Sequence, residues 1–403
     1  VIERVHDLDP PSRLLLGPGP SNVHPRVTRA LSAPVVGYLD PAWFAVMDET
    51  VALLRRVYGT DNRVTFPISG TGTAGMEALL VNLIEPGDTV IVGVNGYFGD
   101  RIHQIARRAG ADAVPLRAPW GQPIDPERVR IALKEHPAAR LVAVVHGETS
   151  TGVLQPLDAL GHIVREHDAL LLVDCVTTLG AEAIDVDARL IDAAYSCTQK
   201  ALGCPPGLAP ITLGERAWEK VVRRKTPPNS WYLDLRLLAD YWLDGRTYHH
   251  TPPASMIYAL REGLRLVLEE GLERRTARHR QAAAALRAGL ATLGLPFIAA
   301  DDCWLPALTA VQLPDGLDDA AIRAALRDRY GIEIGGGLGP LRGKAWRIGL
   351  MGTNATAANV LLVLAALEAV LAEAGYPVEP GAATAAAARA LAERRRREAH
   401  GRP

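Results

Sequence analysis

Four cysteines in 403 residues (Cys175, Cys197, Cys204 and Cys303) fit neither a disulfide framework nor a paired-cysteine metal site. Their scarcity points to a reducing compartment, and a cytoplasmic location is the expectation. Charge of one sign is lacking too. The 44 basic side chains meet 45 acidic ones, and a net charge of −1 gives no electrostatic reason to bind a nucleic acid or an anionic membrane. The longest apolar run, Val360 to Leu367, falls well short of the ~20 residues of a membrane span. The stretch Val1 to Pro20 lacks a basic segment followed by an apolar one, so no secretory leader is expected. Lysine is scarce: 39 arginines accompany five lysines, Lys134, Lys200, Lys220, Lys225 and Lys344. A GC-rich genome explains that bias, but it leaves five candidates for any covalent chemistry by a lysine. What remains is a composition 48% hydrophobic and 22% charged, ordinary for a globular chain. At ~150 residues per domain the length suggests two or three domains with a sizeable core.

Strand and helix patterns alternate from about residue 60 to 215. Asp88 to Asn95 is a short β-rich run closed by Gly96, followed by a helical pattern from Gly99 to Ala109 and an extended Ala113 to Leu116. Leu141 to Val145 and Leu170 to Asp174 are unbroken apolar runs, as expected of strands buried on both faces of a parallel sheet. Helical patterns at Asp125–Glu135 and Asp158–His167 separate them, which predicts an α/β fold with a doubly wound, mainly parallel sheet. Ligands of such sheets sit beyond the carboxyl ends of the strands. From Ser255 the texture changes. One long amphipathic helix is expected to about Leu293. Leu308 to Leu313, a helix over Asp318–Tyr330, Ile332 to Ile334, and a helix over Ala355–Ala374 complete a smaller α+β unit. The expected division is an N-terminal segment 1–20 lining the site, a large domain 21–254, a small C-terminal domain 255–376 and a low-complexity tail 377–403. The tail, with Ala385–Ala388 and Arg394–Arg397, reads as a frayed or solvated helix.

Four places could carry chemistry. Ser69-Gly-Thr71-Gly72-Thr73 precedes a helical run, and a helix N-terminus with glycine and hydroxyl residues can hold a phosphate, although simple capping would use the same residues. Asp174 ends an apolar strand at the edge where ligands bind. Gln199-Lys200 follows the end of another short strand, ahead of the turn Pro205-Pro-Gly207. A lysine there is either solvated or, if desolvated, a Schiff-base nucleophile. Arg347 lies on a short strand after a glycine-rich loop, and arginine is the usual bidentate clamp for a carboxylate. Each reading is open alone. Together they supply a phosphate holder, a carboxylate for a pyridinium nitrogen, an aldehyde-trapping amine and a substrate clamp, the set that pyridoxal phosphate needs.

With these motifs the chain resembles the class V aminotransferases of fold type I, of the alanine–glyoxylate and serine–pyruvate kind. The resemblance covers about residues 12 to 376. It rests on Leu15-Leu-Gly-Pro-Gly-Pro-Ser-Asn22, Ser69-Gly-Thr-Gly-Thr73, Asn95-Gly-Tyr-Phe-Gly99, His146-Gly-Glu-Thr-Ser-Thr-Gly152, Val173-Asp174, Gln199-Lys200-Ala201, Pro205-Pro-Gly207, Tyr248-His-His-Thr251, Gly337-Leu-Gly-Pro340 and Arg347-Ile-Gly349. It implies that Lys200 forms the Schiff base with pyridoxal 5'-phosphate and that Asp174 pairs with the ring nitrogen. Thr71, Gly72, Thr73 and Gln199 would hold the phosphate, Phe98 would stack on the ring, and Thr149 would lie beside it. Tyr248 and Thr251 would reach the cofactor of the other subunit in a homodimer. Arg347, with Gly19 and Tyr38, would serve the substrate. The animal enzymes have Trp and Ser where this chain has Phe98 and Thr149, and many bacterial relatives have His where it has Tyr38.

The activity so implied is ping-pong transfer of an amino group from a small L-amino acid, alanine or serine, to glyoxylate or pyruvate. The rivals are another amino donor on the same scaffold (pyridoxamine or an aminophosphonate), a lyase using the same cofactor, and a regulator that only binds it. No metal is expected.

Overall fold

The apolar runs singled out above become neighbours in one sheet. The computed structural model describes residues 7–243 and 245–400. Its main sheet has seven strands: β1 (Val64–Ser69), β2 (Thr89–Val94), β3 (Asp112–Arg117), β4 (Ala139–Val145), β5 (Leu170–Asp174), β6 (Ala193–Tyr195) and β7 (Leu208–Leu213). Their spatial order is β1-β7-β6-β5-β4-β2-β3. All neighbouring pairs are parallel except those of β7, which runs antiparallel to β1 and β6. Every residue of β5 and all of β4 but Arg140 are buried, as strands covered on both faces must be. The carboxyl ends of β1 to β6 open on one edge, and the functional site lies along it.

A second hydrophobic cluster is built from Leu286 and Leu290, Trp346 and Ile348, and Val363 and Leu367. Its three-stranded antiparallel sheet places Ala345–Gly349 between Leu308–Gln312 and Gly335–Gly336. The N-terminal segment belongs to this part: Leu14–Leu15 pairs in parallel with Ile332–Glu333, and the Leu16 carbonyl accepts from the Gly349 N–H at 2.8 Å.

Two expectations change. The single long helix expected from Ser255 is two helices, Ala254–Glu270 and Leu272–Thr292, because Gly271 takes a φ of +85° that only glycine adopts freely. The Ala/Arg-rich tail also has a partner. Its helix, Ala382–His400, buries Ala383 and Ala387 in the second cluster, and the Ala383 N–H donates to the buried Glu368 carboxylate at 2.6 Å. Gly289 permits this approach, since a Cβ there would lie 2.3 Å from Leu364 Cδ1 and 2.9 Å from the Ala383 carbonyl oxygen. No helix among the described residues is long and apolar enough to cross a membrane.

Candidate active site

Just past the end of β6 the chain turns sharply and presents Lys200. The turn is pinned from both sides. Cys204 N–H donates to the Thr198 carbonyl at 3.0 Å, the Thr198 hydroxyl donates to the Pro205 carbonyl at 2.6 Å, and the Ser21 hydroxyl donates to the Lys200 carbonyl at 2.9 Å. The Lys200 ammonium donates to the carbonyl of Pro18. Gly19 lies against it, at a φ of +113° and so close that a Cβ would stand 2.5 Å from Nζ. Burial holds this amine below the usual lysine range, with Cys197 and Asp174 opposing the shift and Arg347 adding to it. Of the other lysines, Lys134, Lys225 and Lys344 are exposed and Lys220 is paired with Asp88 at 2.7 Å. Only Lys200 has the environment of a reactive amine.

Asp174 closes β5 one strand away. Its Oδ2 accepts from the Tyr195 hydroxyl at 2.6 Å and its Oδ1 from the Val176 N–H at 2.8 Å. Burial pushes the carboxyl up to about 6, while these two donors pull it back toward the ionised form. Tyr195 stands opposite Asp174 in the β5–β6 ladder. This partner is not legible in the sequence, because its signal is a strand register rather than a spacing.

Lys200 and Asp174 share one open cleft. Thr71, Gly72, Thr73, Phe98, Thr149 and Gln199 all line it. Thr71 precedes the helix Gly72–Leu83 without capping it through its side chain, so the first N–H groups of that helix are left to a ligand. A Cβ on Gly72 would come within 3.1 Å of both Cys197 and Val176, so the helix start presses directly on the floor of the cleft. Gln199 Oε1 is buried with no hydrogen-bond partner. Arg101, which the sequence reading did not select, also lines the cleft, with its guanidinium 4.9 Å from the Phe98 ring and Nη1 donating to the Thr73 hydroxyl at 3.3 Å. No group of side chains among the described residues is arranged to hold a metal ion.

Arg347 enters from the second sheet. It is 6% exposed, and its Nε donates to the Gly336 carbonyl at 2.7 Å and its Nη1 to the Thr149 carbonyl at 3.4 Å. No carboxylate lies within 4.0 Å of it among the described residues. Burial lowers its pKa to about 10, with Glu148 opposing, so it stays cationic at neutral pH and lacks a counter-ion.

An amine of lowered pKa, a buried carboxylate and a helix N-terminus line one cleft, and a guanidinium without an ion pair adjoins it through the Thr149 carbonyl. The family model described as aminotransferase class-V matches residues 40–344. The chain belongs to the class-V aminotransferases. It is 45% identical over 399 residues to the (S)-ureidoglycine–glyoxylate transaminase of Bacillus subtilis, covering 94% of this chain and 96% of that protein. The crystal structure of an alanine–glyoxylate aminotransferase from Nostoc sp. superposes with a TM-score of 0.89 at 49% identity, covering 91% and 97% of the two chains. Pyridoxamine–pyruvate aminotransferase from Mesorhizobium loti gives 0.91 at 32% identity, over 95% and 98%. The protein is thus a transaminase of fold type I.

Five residues named from the sequence do not line the cleft: Gly19 and Arg347 adjoin it through Lys200 and Thr149, while Tyr38, Tyr248 and Thr251 lie elsewhere in this aminotransferase's own chain. Tyr248 is 47% exposed and its hydroxyl meets that of Thr251 at 2.7 Å. Tyr38 lies with them in an aromatic group: its ring meets Trp43 edge-on at 6.1 Å, its carbonyl accepts from the Tyr241 hydroxyl at 2.9 Å, and Tyr241 meets Tyr248 at 6.1 Å. One cluster therefore presents Tyr38, Tyr248 and Thr251 together.

Proposed function

We propose that this aminotransferase uses pyridoxal 5'-phosphate to move the amino group of a small L-amino acid, alanine or serine, to glyoxylate or pyruvate in two half-reactions. What carries the reading is that Lys200 and Asp174 line one cleft, with the buried Arg347 bonded to the Thr149 carbonyl at its wall. The residues fit the cofactor. The uncapped helix N-terminus and the Gln199 amide, which can donate through its NH2, suit a phosphate, and Asp174 lines the same cleft.

When bound, the cofactor supplies an aldehyde that condenses with amines and a ring that withdraws electrons from the carbon bearing them. Thr71, Gly72, Thr73 and Gln199 would hold its phosphate, Phe98 and Thr149 its ring, and Lys200 its aldehyde carbon. Asp174 keeps a proton on the ring nitrogen by placing a carboxylate beside it. Arg347 binds the substrate carboxylate and so orients the Cα hydrogen toward Lys200. The Lys200 amine would take that proton at Nζ and later give it back. Tyr248 and Thr251 would complete the phosphate site of a second copy, and Tyr38 its substrate side, in a homodimer. The four cysteines are buried and unpaired, in keeping with the cytoplasm.

A panel of amino donors against glyoxylate and pyruvate tests the assignment. Alanine or serine should be preferred to pyridoxamine and aminophosphonates, and turnover should stop without a keto acid. Sustained turnover without one would make the enzyme a lyase. Borohydride should fix the cofactor on Lys200, and a label on any other lysine would overturn the site.

A further inference from the structure

Glu148 is fully buried beside the cleft and has no part in the chemistry described so far. Its Oε2 accepts from the Phe98 and Gly99 N–H groups at 3.0 and 3.2 Å, and its Oε1 from the Ser150 N–H and hydroxyl at 3.0 and 2.6 Å. The Ser150 hydroxyl in turn accepts from the Tyr97 N–H at 2.9 Å. Tyr97, Phe98 and Gly99 open the helix Tyr97–Arg108, whose N-cap, Gly96, has no side chain to offer. That helix is therefore capped by two residues from a turn some fifty positions later in the chain. Gly96 makes room for them, since a Cβ there would lie 2.4 Å from Glu148 Cδ and 2.6 Å from Ser150 Oγ.

Capping alone does not account for a carboxylate at this place. A serine or aspartate at position 96 would cap the helix locally, without burying an anion. Three backbone N–H groups and one hydroxyl converge on Glu148, and these bonds favour its ionised form while burial opposes it. Thr149 stands between the two capping residues, and its carbonyl accepts from Arg347. One side chain thus joins the backbone that carries Phe98 to the turn that contacts Arg347.

We propose that Glu148 is a positioning residue, which seats the first turn of Tyr97–Arg108 against the Thr149 turn and so sets the Phe98 wall relative to the Arg347 clamp. The inference rests on the cofactor reading above.

Glu148→Gln keeps the volume but turns an NH2 toward donors whichever way the amide points. Titrating the apoprotein with pyridoxal phosphate should give a Kd about tenfold weaker, the size of one lost charge-assisted hydrogen bond. The visible circular dichroism of the bound cofactor should weaken, and KM for the amino acid should rise more than kcat falls. In a Phe98→Leu background the same substitution should cost less than about threefold, because the wall it positions is already gone. A lower Tm with unchanged cofactor Kd, or a full tenfold effect persisting without Phe98, would overturn the proposal. If Glu148→Gln does not fold, Ser150→Ala takes its place in the same cycle, with about a threefold loss expected and no loss overturning the proposal. Wild-type protein that fails to bind pyridoxal phosphate removes the cofactor reading itself, a result separate from a normal Kd in Glu148→Gln.

Discussion

Lys200 differs from the other four lysines in its surroundings, not in its chemistry: a loop tied to Ser21, a carbonyl acceptor at Pro18, and burial that weakens its hold on a proton. Arg347 is distinguished in the same way, as a buried cation whose partners are carbonyls rather than carboxylates. Arg347→Lys keeps the charge but loses the planar fork. A lost charge-assisted pair of roughly 1.5–3 kcal/mol predicts a fall in kcat/KM of about ten- to a hundredfold or more. The fall should be similar for amino acid and keto acid, since both present a carboxylate, while the Kd for pyridoxal phosphate stays unchanged. Lys200 and Asp174 are legible in the sequence because each sits at or shortly after a strand end that the apolar pattern locates, and Arg347 because a glycine-rich loop leads into its strand. Tyr195 and Glu148 are not. The first reaches Asp174 through strand register, and the second reaches Phe98 through a contact between distant segments.

Elements were legible where one pattern filled the whole segment, as in β4 and β5. Val64–Ser69 and Leu208–Leu213 are harder to recognise because each carries a proline, and a proline in an apolar run argues against a strand inside a sheet. In the fold Pro67 and Pro210 stand opposite each other in the β1–β7 ladder. Composition also hides the role of the tail helix. Ala383 and Ala387 bury little area each, and their partner, Gly289, is almost a hundred residues earlier. Gly289→Ala should push this helix off the second cluster. The expected loss is about 1–3 kcal/mol of stability, as for an overpacked core, read as a lower Tm with cofactor affinity unaltered.

At the scale of the whole molecule, the proposed homodimer would use the cluster of Tyr38, Tyr248 and Thr251 in the site of a second copy. Neither Lys200→Ala nor Tyr248→Phe/Thr251→Ala subunits should be fully active alone. In a heterodimer with shared sites, one site carries both defects and the other carries none. Equal mixing should therefore restore about a quarter of wild-type activity. No recovery after proven exchange would place these residues in their own subunit's site. Acid sensitivity is a second global property. His146 and His279 are buried, and burial pushes both down to about 3. The unfolded chain, with histidines near 6.5, then binds protons that the fold refuses. Their contribution is complete above pH 6.5 and is lost as the pH falls toward 3. Asp174, raised to about 6, acts in the opposite sense between pH 6 and 4. His279 Nε2 accepts from the Gly352 N–H at 3.1 Å, a bond that protonation would break. In urea unfolding, His279→Gln should flatten the pH dependence of stability between pH 6 and 4 by about 1.4 kcal/mol per pH unit.

The segment from Leu14 to Ser21 links the two ends of the proposed substrate. Leu16 is bonded to Gly349, two residues from Arg347, and Pro18 and Ser21 are bonded to Lys200. On the proposed function it would work as a ruler, gauging the span between the place that grips a carboxylate and the place that handles an amine. In an α-amino acid both groups share one carbon, whereas in β-alanine they are one carbon further apart. At saturating glyoxylate, kcat/KM should be at least about tenfold higher for L-alanine than for β-alanine, the scale of one methylene misfit in a tight site. Equal rates would mean that the ruler does not measure the substrate. Inserting one glycine after Gly17 should lengthen the ruler and narrow the difference.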